Sequence, residues 1–363
     1  MPPVSIRRPI TVTAWLVVSA TCVVLSPLLL GLAAVVGALT GRRQPMIAAR
    51  LILAYFAHEL GALVACGALW IVTGAGRMIG APRPQRLHWR LLRWYAAGLA
   101  AAGRRSLEID VVSEASPEAV RALEANAPLI VLSRHAGPGD TIFIGDQLLS
   151  GFDRRPSVVF KETIAIDPCI DLFAHRLPHA MIDPSNREQC EARIAEVTAG
   201  LGPRGTLLLF PEGGNFTGER RRSALRRLWR KGQRRSAERA ESMPHVLPPQ
   251  PVGVLAALRA RPDADIVFSA HTGLGLAAYP RELWREMPIG RTLRTRMWLA
   301  RRDEVPVTPD EQVAWLYDWW ERIDDWIAQQ PGGGEGAPAD SSASAESGAS
   351  AGSGASAERS AAP

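Results

Sequence analysis

Apolar positions are distributed in two ways along this chain. The first eighty residues carry long uninterrupted apolar runs, and the next two hundred and fifty carry short ones separated by polar stretches. From Ile10 to Gly41 there is no charged residue. At ~1.5 Å per helical residue, such a run exceeds a hydrocarbon core of ~30 Å even with tilt, which predicts a membrane segment. Pro27 and Gly31 near its middle are placed to kink it, which lipid-embedded helices tolerate. Arg7 and Arg8 precede the run as they would in a signal peptide, but it is longer than the ~7–15 apolar residues of a signal and lacks a convincing small-residue cleavage site. A second apolar stretch, Leu51 to Gly76, is interrupted by His58 and Glu59, and Arg42, Arg43 and Arg50 lie in the connection. It reads as a span, an interfacial helix, or the second arm of a hairpin dipping into one leaflet. A carboxylate facing lipid would be costly.

Beyond residue 80 the pattern changes to one of short strands. Apolar runs at Pro128–Ser133, Pro156–Phe160, Met181–Ile182, Gly205–Phe210, Val252–Leu258 and Asp265–Ala270 alternate with helical stretches at Thr141–Ser150, Pro168–Arg176 and Ser185–Ala199. This alternation predicts an α/β domain with a mixed sheet flanked by helices over residues 81–330, preceded by an N-terminal membrane segment or helical hairpin over 1–80. Thr292–Arg301 is expected as an edge strand. Thr308 to Gln329, with Trp315, Trp319, Trp320, Ile323 and Trp326, reads as an amphipathic terminal helix packed on the core or the membrane surface. Residues 331–363 are Gly, Ala and Ser with scattered charges, too poor in large apolar groups to fold, and their removal should leave any activity intact. No internal repeat is present.

Candidate chemistry sits where two of the predicted strands end. His135 follows the 128–133 strand, and its unperturbed pKa of about 6.5 suits it to take and release a proton near neutrality. Asp140 lies five positions on, which along a straight helix is a rotation of about 500° and would separate the two side chains. The intervening Gly137-Pro138-Gly139 predicts a tight turn instead, glycine admitting positive φ, so that Asp140 folds back onto the imidazole. The simpler alternative makes Asp140 only the N-cap of the next helix. After the 205–210 strand, Pro211-Glu212-Gly213-Gly214-Asn215 breaks the chain abruptly, placing a carboxylate and free backbone N–H groups at a strand end suited to an anion or polar headgroup.

With these residues in view, the chain resembles the glycerolipid acyltransferases that esterify glycerol phosphate and lysophospholipids. The resemblance spans roughly Leu129 to Gly273. His135 and Asp140 match the His-x-x-x-x-Asp pair of that family, Phe210-Pro211-Glu212-Gly213 its acceptor-binding motif, and Lys161, Ile164 and Pro168 its second conserved region. Val246–Pro249 and Pro251–Val254 resemble its fourth block, a proline-containing strand near the acyl chain. The resemblance implies direct transfer of a fatty acyl chain from acyl-CoA or acyl carrier protein to the free hydroxyl of 1-acylglycerol-3-phosphate. His135 would be general base, Asp140 its support, N–H groups of the glycine turn the oxyanion donors, and no acyl-enzyme would form. It also implies Arg134, Lys161, Glu212, Gly213, Gly214, Asn215 and Arg187 as substrate-binding candidates. Two departures matter. Asn215 stands where the family often has an arginine for the acceptor's phosphate, which opens the alternative of larger, lysocardiolipin-like acceptors. Met181-Ile182-Asp183 is followed by Pro184, so Arg187 is the nearest guanidinium, either forking onto a phosphate or lying solvated in the first turn of a helix capped by Ser185.

Charge and cysteine usage refine the setting. The net charge is +6, and ten Lys or Arg residues fall between Arg220 and Arg239 with Leu225, Leu228 and Trp229 interleaved. This is either a solvated helix face or an amphipathic contact with anionic headgroups. Neither a groove-reading motif nor a stacking platform accompanies it, which argues against a nucleic-acid partner. Arg77, Arg83, Arg86, Arg90 and Arg93 after the second apolar stretch place the domain at the cell membrane facing the cytoplasm, among membrane lipids and acyl-CoA. Cys22, Cys66, Cys169 and Cys190 show no Cys-x-x-Cys, and Pro178 interrupts the helix that would align His175 with His179, so no metal or resident cofactor is expected. Two other classes remain: a lipid hydrolase, although no Gly-x-Ser-x-Gly elbow is present, and a non-catalytic membrane-tethered lipid-binding protein.

Overall fold

Seven strands form one mixed sheet at the centre of the computed structural model, which describes residues 3–137, 139–272, 283–285, 287–288 and 290–331. Three helices precede it: α1 (Val4–Val24), α2 (Ser26–Thr40) and α3 (Gln44–Val72). A fourth, α4 (Pro82–Leu107), leads into the alternating part: β1 (Asp110–Ala115), α5 (Pro117–Glu124), β2 (Leu129–Ser133), α6 (Asp140–Asp146), β3 (Arg155–Lys161), α7 (Pro168–Arg176), β4 (Ala180–Ile182), α8 (Arg187–Ala199), β5 (Gly205–Leu209), α9 (Gly218–Arg230), α10 (Arg234–Glu241), α11 (Pro251–Ala260), β6 (Asp265–Thr272), β7 (Thr292–Ala300) and α12 (Pro309–Ala328). The mixed α/β class expected from the pattern is the class observed.

The strand order is β1-β7-β6-β2-β5-β3-β4, parallel throughout except for the antiparallel β6–β7 pair. β2, β5 and β6 lie side by side at the centre, and β2 and β5 are buried at every position. A parallel strand covered on both faces needs an unbroken apolar run, which Leu129-Ile130-Val131-Leu132 supplies. One face of the sheet carries α8, α11 and α12, with Trp320 fully buried and Phe268 stacked on Trp319 at 4.3 Å. The tryptophan stripe of the terminal helix is therefore core packing. Thr308 caps that helix and exchanges a capping box with Glu311.

Several expectations are corrected. Val252–Leu258 is helical, in α11, because Pro251 occupies its first position and the apolar residues after it pack on α8 and the sheet rather than alternating between two faces. Asn186, not Ser185, caps α8, its side chain accepting from Gln189 N. β7 is interior, between β6 and β1; β1 is the edge strand, and its exposed Val111 and Val112 disguised it in the sequence. The 10–41 run is two helices bent by 62° at Leu25. Pro27, tolerated in the first turn of α2, belongs to that break. The expected tail from 331 onward lies almost wholly outside the described residues.

Among the described residues one helix, α3, is long and apolar enough to cross a membrane, with the bent α1–α2 pair a second if counted as one span. Yet the middle of α3 is fastened to the α/β domain. Tyr55 donates to Asp167 Oδ2 at 2.7 Å, Glu59 accepts from the Tyr95 hydroxyl at 2.5 Å, and Arg176 donates to the Cys66 carbonyl at 2.8 Å. At the start of α1, Arg7 and Arg8 both grip Asp171 of α7, Arg8 at 2.6 Å.

Candidate active site

The site begins where β2 and β5 end. Leu132 is paired in parallel with Leu209, so both strands release the chain at the same edge of the sheet, the place where α/β sites collect. The two exits are stitched together. His135 N donates to Glu212 Oε1 at 3.0 Å, and Phe216 N donates to the His135 carbonyl at 2.8 Å. The Phe210 ring covers the imidazole, with centroids 4.5 Å apart.

Asp140 is the first residue of α6, and its side chain turns back along the chain. Its Oδ2 accepts from Ala136 N at 2.6 Å, Gly137 N at 2.7 Å and His135 Nδ1 at 3.1 Å. Because the carboxylate can only accept, His135 Nδ1 carries a proton, which in the neutral imidazole leaves the lone pair on Nε2. The aspartate is 2% exposed while the imidazole is partly open. Burial alone would raise the Asp140 carboxyl, but the neighbouring His271, with hydrogen bonds from His135 and His271, outweighs it and holds the group well below the usual carboxylate range. The turn is not made as expected, since Gly139 sits at φ −75° and Gly137 is not among the residues with positive φ. Nor are the N–H groups of Ala136 and Gly137 available to an oxyanion, because Asp140 occupies both.

Glu212 is buried too. Its Oε2 accepts from Leu247 N at 3.0 Å, so the carboxyl bridges the β2 exit to the segment before α11. Burial pushes it up to about 8, against the opposing pull of Arg134 and the two N–H donors. Gly213 adopts φ +70°, and a Cβ there would meet Gln250 Nε2 at 2.3 Å, so only glycine fits the turn. The N–H groups of Gly214 and Asn215 carry no hydrogen bond among the described residues. Arg220, in the first turn of α9, covers this turn; its Nη1 donates to the Asn215 carbonyl at 3.1 Å and lies 2.8 Å from where a Gly214 Cβ would be.

The remaining candidates divide. Arg134 is buried and points inward, donating to the His271 carbonyl at 2.6 Å and the His245 carbonyl at 2.9 Å. Asp324 of α12 accepts from His245 N at 2.7 Å and completes that network. Arg134 thus ties β2, β6 and the 245 segment together rather than facing a ligand. Lys161 ends β3 and is exposed. Arg187 is 75% exposed and paired with Glu191 at 2.9 Å, which is the solvated alternative. Neither is bonded to His135, Asp140 or Glu212. Ser133 is buried with its hydroxyl on the Arg134 carbonyl, which is no nucleophile's setting.

Two residues escaped sequence reasoning. His271, near the end of β6, brings Nε2 to 3.3 Å from Asp140 Oδ2; a histidine closing an apolar strand was the available signal. Arg220 was submerged in the basic run. A cavity of about 360 Å³ opens between α6 and the β1–β7 edge, with Asp140, His271, Phe143, Ile144 and Leu293 in its wall. No cluster able to hold a metal occurs among the described residues.

Residues 112–253 match the model of a family described as Acyltransferase. The match covers less than half of the chain and runs from β1 into α11, with His135, Asp140 and Glu212 inside it. No curated protein and no solved structure matches. The family match supports acyltransferase activity in general terms.

Proposed function

We propose that the protein is a membrane-bound O-acyltransferase that moves a fatty acyl chain from an acyl thioester, of coenzyme A or acyl carrier protein, to the free hydroxyl of 1-acylglycerol-3-phosphate, forming phosphatidic acid. The observation that carries this reading is His135, its Nδ1 bound to a buried carboxylate and its Nε2 free at a partly open sheet edge. As the acceptor oxygen attacks the thioester carbonyl, Nε2 takes its proton. The tetrahedral adduct collapses, the C–S bond breaks, an ester forms and the thiolate leaves with that proton. Asp140 supports the imidazolium without taking its proton, consistent with the depressed carboxyl. No acyl-enzyme is needed, and Cys66, Cys169 and Cys190 are buried.

The acceptor's anionic headgroup lies on the Gly213–Asn215 turn, where unused N–H groups and the Arg220 guanidinium converge. The acyl tail lies in the cavity beside α6. Asn215 favours a second reading, remodelling of larger lysophospholipids, in which the headgroup extends past this turn.

The helices before the sheet would hold the enzyme in one leaflet. Mid-helix contacts of α3 with α4 and α7 oppose a perpendicular crossing, since they would carry Asp167 and Arg176 towards the bilayer centre. Exposed Leu87 and Trp94 on α4, interleaved with Arg83, Arg86 and Arg90, suit the headgroup boundary. The attachment is then to the cytoplasmic leaflet of the cell membrane.

Thiol release from long-chain acyl-CoA by the purified, detergent-solubilised protein tests the reading, with no acceptor, lysophosphatidic acid or other lysophospholipids. Release requiring lysophosphatidic acid and His135 is expected. Release only with larger headgroups favours remodelling, release without acceptor identifies a hydrolase, and no release with CoA or carrier-protein donors leaves a binding protein.

A further inference from the structure

Asp140 serves two histidines, and only one of them faces the open edge. The second, His271, is 4% exposed and stands on β6, paired with β2 on the side opposite β5, the strand that leads into Glu212. Its Nε2 lies 3.3 Å from Asp140 Oδ2 and 3.3 Å from the Arg134 carbonyl oxygen. Both neighbours can only accept, so Nε2 bears a proton and donates. Nδ1 is buried without a partner, so the one proton on Nε2 is shared between the Asp140 carboxylate and the Arg134 carbonyl. The contact is reciprocated through the backbone, since Arg134 Nη1 donates to the His271 carbonyl at 2.6 Å. Ring and guanidinium therefore lock the end of β6 to the residue before His135. Thr295, its partner in register on β7, is uncharged. All of the hydrogen bonds to Asp140 fall on Oδ2, and Oδ1 has none.

We propose that His271 is a positioning residue for the catalytic pair: by donating its Nε2 proton to the Asp140 oxygen that His135 uses, it keeps that carboxylate aimed at His135 and ionised while His135 cycles its proton. His271 does not reach the reacting hydroxyl or the thioester carbonyl and acts on them only through Asp140. The inference rests on the acyl-transfer reading for its kinetic consequence but not for its structural one.

The test compares wild type, His271→Leu, His271→Gln, Asp140→Asn and the His271→Leu/Asp140→Asn double variant in full-length protein. Glutamine can place an N–H where Nε2 stands; leucine fills the space without a donor. His271→Leu should lower kcat roughly 10- to 100-fold, the scale of one hydrogen bond to a charged group, with KM for acyl-CoA and lysophosphatidic acid unchanged. His271→Gln should recover most of the loss, and leucine should cost little further in the Asp140→Asn background. Wild-type kcat in the leucine variant, a loss confined to KM, failure of glutamine to recover kcat despite a wild-type melting temperature, or additive losses in the double variant would overturn the proposal. A second readout needs no turnover: the far-downfield Nδ1 proton of His135 in ¹⁵N-histidine-labelled protein should be present in wild type and His271→Gln and absent in His271→Leu. Its persistence in His271→Leu overturns the inference even if wild type transfers no acyl group, an outcome that would separately sink the acyl-transfer reading.

Discussion

Two buried aspartates, Asp140 and Asp171, occupy opposite kinds of surroundings. Asp140 accepts from two backbone N–H groups and two imidazoles. Asp171 is gripped by the guanidinium groups of Arg7 and Arg8, while the exposed His175 ring, 3.3 Å from the carboxylate, hydrogen-bonds the Asp171 backbone carbonyl through Nδ1. Imidazole exchanges a proton near neutrality, whereas guanidinium keeps its charge at any working pH. Asp140 can therefore take part in a proton cycle while Asp171 makes a fixed joint between α1 and α7. A buried carboxylate alone does not mark an active site; the proton chemistry of its partners does.

The largest effect should come from the histidine that Asp140 supports. His135→Ala should lower acyl transfer by about 10²–10⁴-fold while vesicle binding persists; comparable transfer in a clean preparation would sink the assigned base. Asp171→Asn is the reverse case. Leaving two buried or half-buried guanidinium groups short of their counter-ion should cost about 3–5 kcal/mol of stability, read in the melting temperature and in protease cleavage of α1, with kcat of the surviving folded fraction close to wild type. A large fall in that kcat would erase the contrast.

Arg220→Ala sharpens the contrast at the headgroup. It should raise KM for lysophosphatidic acid up to about tenfold, the scale of one charge-assisted hydrogen bond weakened by solvent at an exposed side chain, with kcat little changed and no effect on an uncharged acceptor. Equal effects on both acceptors would move the anion site elsewhere. The remaining effect is a slope rather than a single value. Glu212 is raised from 4.5 to about 8 by burial, and an acid so raised contributes stability that is full below pH 4.5 and lost as pH rises through about 8. Wild type should therefore lose stability across that window relative to Glu212→Gln, whatever constant offset the amide introduces. Parallel stability profiles for the two proteins would contradict the raised carboxyl.

What could be read without coordinates was whatever local spacing determines. His135 and Asp140 lay in one turn, Glu212 closed an apolar strand, and Thr308 announced its helix. What escaped depends on which distant segments meet. β7 looked like an edge because nothing local reveals that Asp110 pairs with Thr292. α11 looked like a strand because an apolar run after proline satisfies either period until its neighbours are known. His271 lies 131 positions beyond Asp140 and Arg220 five beyond Asn215, yet both were missed: the first for distance, the second because nine other basic residues surrounded it. Arg134 is the converse case, a substrate-binding candidate whose guanidinium is spent on the His271 and His245 carbonyls.

The pairing of β1 with β7 also sets a timetable for biosynthesis. The apolar helices leave the ribosome ahead of the strands, but Asp110–Ala115 has no strand neighbour until Thr292–Ala300 emerges, and Asp324, which anchors His245 beside Arg134, comes later still. A nascent chain halted before Thr308 would carry its apolar helices yet be unfinished. On the acyl-transfer reading, the chain would reach a membrane before its pocket can close, and maturation would take place where the lipid substrate resides.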